Sequence, residues 1–143
     1  MTAEEEIRDH QQRCQPYLLR LQTLTLGEDG PPPSAAEVGQ VTDTIIAEAA
    51  AASRAALAAS GESRRHPGAP AFLQVRLNRL TAAADEAVCA ARDGNFVWLR
   101  RLLRRFEALT SAIWTVQRAV CGTAVSARLP SGRSAAARRS MTH

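Results

Sequence analysis

Histidine and cysteine are the side chains most able to hold a metal or move a proton near neutral pH, and this chain has three of each. His10 and Cys14 stand four residues apart, a spacing that puts both on one side of a helix. A tetrahedral zinc site would need two more ligands from a second helix, and the sequence names none: His66 falls in a polar run and His143 is the last residue. The cysteines at 14, 89 and 121 are odd in number, far apart and never in a CxxC pair, the pattern of reduced thiols that pack as small apolar residues. The expectation is therefore a solvated His10, a packed Cys14, no metal and no cofactor.

Catalysis needs titratable groups that converge on a cleft, or a nucleophile beside a base. The chain contains no HExxH, no GxSxG and no glycine-rich phosphate loop. On this reading the protein is not an enzyme, and its chemistry is that of contact surfaces. Two side-chain types define those surfaces. All eighteen basic residues are arginine, which suits forked contacts to carboxylate or phosphate and is equally the mark of a coding bias. They are unevenly spread: residues 1–60 carry nine acids against four arginines, net −5, while residues 95–143 carry nine arginines against Glu107, net +8. At 100° per residue Arg100, Arg104 and Arg118 fall together on the back of one helix, with Arg101 and Arg105 beside them. That back is either a solvated face, paired with the acidic first helix, or a docking surface for an anionic partner. Trp98 falls within the apolar stripe of the same helix and is expected in the core. Trp114 lies at the stripe's edge, where it either anchors a partner or packs on the Pro16–Leu24 segment.

Four helical segments must position these residues. Thr2-x-x-Glu5 has the form of a capping box, and Glu4, Glu5 and Glu6 suit the positive end of a helix dipole, which predicts a helix over about 3–26, kinked or split at Pro16. Gly27 to Pro33, with three consecutive prolines, reads as a linker. Ser34-x-x-Glu37 opens a second helix over 35–60, whose face is largely alanine. After a polar run from Gly61 to Pro70, Leu73, Leu77, Leu80, Ala84, Ala87 and Ala91 alternate steps of four and three, predicting a helix over 71–93 with a heptad seam. Asp93, Gly94 and Asn95 supply a stop and a fresh N-cap. Leu99, Leu102, Phe106, Leu109, Ile113, Val116 and Val120 then predict a fourth helix over 96–121, ending at Gly122.

These elements predict an all-α protein: an antiparallel bundle of three to four helices with heptad-like seams over residues 1–122, followed by a flexible, disordered basic tail over 123–143. No run of apolar residues is long enough to span a membrane, and Met1 to Glu6 do not resemble a secretory leader, so a cytoplasmic or nuclear location is expected. The expected role is that of an adaptor or complex subunit acting through helix–helix contacts with a protein partner or a second copy. Trp114, Trp98, Arg100, Arg104 and Arg118 are its candidate partner-binding residues. The competing expectation is a charge-driven binder of nucleic acid or an anionic surface through the arginine face and the tail. A nucleic-acid reader would ordinarily add exposed aromatics or a recognition motif, and the sequence shows neither.

Overall fold

The structure, a computed structural model, describes residues 2–26, 32–60 and 67–128. Four helices account for nearly all of them: α1 (Ala3–Leu26), α2 (Ala35–Ser60), α3 (Ala69–Arg92) and α4 (Phe96–Arg128), with no strand among the described residues. The linker of residues 27–31, the polar run of residues 61–66 and the tail beyond Arg128 lie outside them.

The helix starts follow the capping chemistry written in the sequence. Thr2 Oγ1 accepts a hydrogen bond from the Glu5 amide at 3.2 Å, Ser34 Oγ from the Glu37 amide at 3.1 Å, and Asn95 Oδ1 from the Trp98 amide at 3.2 Å. Helix α3 begins two residues earlier than expected, because Pro70 sits within its first turn, where a missing amide proton costs nothing. Its other end closes in a Schellman motif: the Asn95 amide donates to the Ala90 carbonyl at 2.9 Å and the Gly94 amide to that of Ala91 at 3.3 Å. Gly94 takes φ +73°, a left-handed conformation that costs glycine little.

One expectation about the helices is narrowed and one is corrected. Of a kink or a split at Pro16 the split is excluded, since α1 runs as one helix to Leu26. Pro16 is exposed, while Ile7, Cys14 and Leu21, on either side of it, are buried and hold both halves against the same core. Helix α4 does not stop at Gly122 but reaches Arg128. A lone glycine inside a helix costs about 1 kcal/mol relative to alanine and does not end one by itself. At the end of α3 the stop comes from Gly94 together with the cap at Asn95.

The bundle runs up, down, up, down. Contacts pair the start of α1 with the end of α2 and the end of α4 (His10 with Glu48, Ile7 with Cys121), and the end of α1 with the start of α2 (Arg20 with Glu37). Helix α3 returns antiparallel to α4 through the three-residue turn. Helix α2 meets α4 across the diagonal, whereas α1 and α3 scarcely touch, so the cross-section is a rhombus with a short α2–α4 axis. Alanine makes that axis short. Ala49, Ala52, Ala55 and Ala56 of α2 are buried, and side chains this small let helix axes approach toward the ~8 Å lower end of helix packing. The alanine face of α2 is thus spent inside the fold.

The core is built on Ile45, Leu73, Leu80, Leu99, Leu103, Phe106 and Ile113, each at most 1 % exposed. A polar bond crosses its short axis. Gln117, fully buried, donates from Nε2 to the Ala49 carbonyl at 3.0 Å and to Ser53 Oγ at 2.8 Å. Nε2 is paired in this register of α4 on α2, whereas Oε1 is buried without a partner, and a slipped register would orphan both, which gives the diagonal a specificity that interchangeable alanine methyls would not.

Candidate interaction surface

Of the two tryptophans, Trp114 takes the second of its two expected places, packed in the core with the Pro16–Leu24 segment, and Trp98 departs from its expected one. Trp114 is 7 % exposed and belongs to the main core, in the same cluster as Cys14 and Leu21 of α1. Trp98, expected inside, is 45 % exposed. The reason is the width of the buried face of α4. The 99-to-120 stripe is only the flank of that face shared with α3; Leu103, Thr110, Trp114, Gln117 and Cys121 form a second buried row, covered by α1 and α2. Docking of those two helices takes Trp114 from the edge of a hairpin into the middle of a bundle. Trp98 lies on the other side of the stripe, at the outer α3/α4 seam.

There Trp98 borders an open groove of about 350 Å³ with Asp85, Glu86, Cys89, Ala90, Asp93 and Asn95. Val97 beside it is 66 % exposed. At the opposite end of the same seam Phe72 (38 % exposed) borders a second groove, of about 420 Å³, with Gly68, Ala69, Val116, Ala119 and Val120. The Arg76 guanidinium lies over the Phe72 ring, 4.7 Å from its centroid, in a cation–π contact with the ring's face. Val75 is also exposed. Four of the five large exposed apolar side chains described thus belong to α3 and α4, the fifth being Leu19.

The arginine group is divided by the fold. Arg100 is half-buried and engaged by neighbours. Arg118 turns toward α1 and lines a cleft with Glu4, Ile7, Arg8, Gln11 and Cys121. Arg101, Arg104 and Arg105 remain exposed on the outside of α4, and no described acid forms an ion pair with them. The acids of α1 and α2 are used differently: Glu48 takes His10 Nδ1 and stands 3.7 Å from Arg13, Asp9 is 4.0 Å from Arg13, and Glu37 takes Arg20. Pairing of the α4 arginines with the acidic first helix is not seen among these pairs; three of them stitch α1 to α2, and Asp9–Arg13 lies within α1.

His10 is not simply solvated, since its Nδ1 meets Glu48 Oε2 in a half-buried contact. Cys14, one turn along, is fully buried, and burial, with the charge of Glu48 adding to it, pushes its thiol up to about 12. A thiol held protonated is a poor metal ligand and a poor nucleophile. No group of three histidine, cysteine or acidic side chains among the described residues is placed to hold a metal ion. Nor is any described helix long and apolar enough to cross a membrane. Neither protein-family models, nor curated proteins, nor solved structures give a match to this chain.

Proposed function

We propose that the chain is a non-enzymatic interaction module, an adaptor or subunit of a larger assembly, that docks through the outer α3/α4 seam with Trp98 as its anchor. The observation that carries this reading is the 45 % exposure of Trp98 in a fold that buries Trp114. A tryptophan left wet forgoes burial worth roughly 2–3 kcal/mol, and side chains of this type dominate the energetics of protein interfaces. Phe72 and Val75 extend the apolar surface at the far end of the seam. Three free cysteines, two of them buried, accord with a reducing compartment such as the cytoplasm or nucleus.

A second reading rests on Arg101, Arg104 and Arg105, three exposed guanidiniums with no described acid to neutralise them, which suit an acidic protein segment or a phosphate backbone. The two readings separate in one experiment. The tagged chain, recovered from its native cells with nuclease at moderate salt, should retain a stoichiometric protein that Trp98→Ala releases while helix content stays unchanged. Retention of that protein by Trp98→Ala and by Phe72→Ala alike would refute the seam. Material that disappears with nuclease, and with Arg101, Arg104 and Arg105 changed to glutamine, would favour the charged face instead.

A further inference from the structure

The cleft between α1 and α4 lies on the opposite side of α4 from the Trp98 seam and owes nothing to the interaction reading. It measures about 280 Å³ and is bounded by Glu4, Ile7, Arg8 and Gln11 of α1 and by Arg118 and Cys121 of α4. Its chemistry is lopsided toward donors. Gln11 lines the cleft, and its side-chain nitrogen is turned away from solvent, buried and without a hydrogen-bond partner. Arg8 and Arg118 bring two guanidinium forks to the same cleft, and neither forms an ion pair with a described residue. Glu4 offsets one of these charges and leaves a net positive cleft. Ile7 and Cys121, both 2 % exposed, make its floor apolar.

We propose that this cleft binds a small oxyanion, a phosphate or a compact carboxylate, held between the guanidiniums of Arg8 and Arg118, with the Gln11 side chain turning its unpartnered amide outward to donate to it. A water molecule would satisfy Gln11 alone. Two planar forks at one small space select an acceptor that also carries charge, because charge-assisted bonds are about twice as strong as neutral ones. The volume admits an anionic head group and little more, at the lower limit of small-molecule sites. Such a ligand would bridge the first and last helices of the bundle, so its occupancy would tighten the α1–α4 contact.

The test uses the full chain labelled with nitrogen-15, titrated with inorganic phosphate in one arm and succinate in the other, at constant ionic strength set with chloride. The expected result is a saturable displacement of the Gln11 side-chain amide signal in at least one arm, which identifies the ligand class. Arg118→Gln and Arg8→Gln should each weaken that binding about tenfold or more, while Arg101→Gln, on the outer face, leaves it unchanged. If Arg118→Gln loses its native spectrum, Arg8→Gln carries the comparison, since Arg8 is exposed and its replacement leaves the core intact. A Gln11 signal that does not move in either arm, or a displacement that rises without saturating and is equal in all variants, would overturn the proposal. The second pattern is that of diffuse screening and of the general stabilisation that phosphate gives to folded proteins.

Discussion

At the scale of single residues, burial rather than residue type sets the cost of change. Trp114→Ala should destabilise the fold by about 3–5 kcal/mol, the cost of a large cavity in a packed core, whereas Trp98→Ala should change it by less than about 1 kcal/mol. Urea unfolding of the two variants checks this; equal costs would mean that Trp98 is a core residue after all. The cysteines divide in the same way. Cys89 is exposed and should react with a maleimide in the native protein at neutral pH, while Cys14 and Cys121 should react only on unfolding. Cys14 also has a pH signature. Its thiol rises from an ordinary value near 9.0 to about 12 on folding, so the unfolded chain releases that proton first as pH increases. The stability tied to the neutral thiol is complete below about pH 9 and declines as pH climbs toward 12, and Cys14→Ala should flatten that decline. An identical alkaline profile in the variant would show that other groups control it.

At the scale of elements, the turn between α3 and α4 is set by one backbone conformation. Gly94 holds φ +73°, and a Cβ added there meets nothing within 4 Å, so the cost of Gly94→Ala is purely conformational. It should be about 1–2 kcal/mol, read as a lowered denaturation midpoint with unchanged helix content. Gly122, by contrast, lies within α4, which shows why one residue type stops one helix and not another. The stop needs a left-handed residue, carbonyls captured behind it and a new cap ahead of it, and Asp93, Gly94 and Asn95 supply all three. Pro16 teaches the same lesson in reverse: a residue that disfavours helix is tolerated when it faces outward and when buried neighbours on both sides fix the path of the chain.

At the scale of the whole molecule, the four helices share one main core, with a smaller cluster of Ile7, Ala55, Ala56 and Cys121 at the end of the bundle where α1 begins and α4 passes Cys121. Helices α2 and α4 each touch all three others and form the short diagonal on which the bundle closes. Unfolding should therefore be a single cooperative event. The loss of helix seen by circular dichroism should coincide in urea with the change in Trp114 fluorescence, measured in a Trp98→Phe background. If the two curves separated, α1 would be leaving the bundle before the rest of it melts. The outside of the molecule is uneven in a way the core is not: ion pairs bind α1 to α2, arginines crowd the outer face of α4, and apolar side chains gather along the α3/α4 seam.

The sequence by itself determined the helices and most of their ends, because capping side chains, apolar period and turn residues act within a few positions of one another. It also determined the α3/α4 hairpin, whose leucine stripe has a legible heptad spacing. What only the tertiary structure decided was the second buried row of α4. That row mixes Leu103 with Thr110, Trp114, Gln117 and Cys121, so no apolar period marks it, and its burial depends on α1 and α2 arriving from the other end of the chain. Trp114 settled in the core rather than on a partner-facing edge for that reason, Arg118 parted from Arg104, and the arginine-lined cleft with Gln11 came into being. Local physics acts along the chain and can be read from it, whereas the coverage of a face depends on which distant helix lies against it.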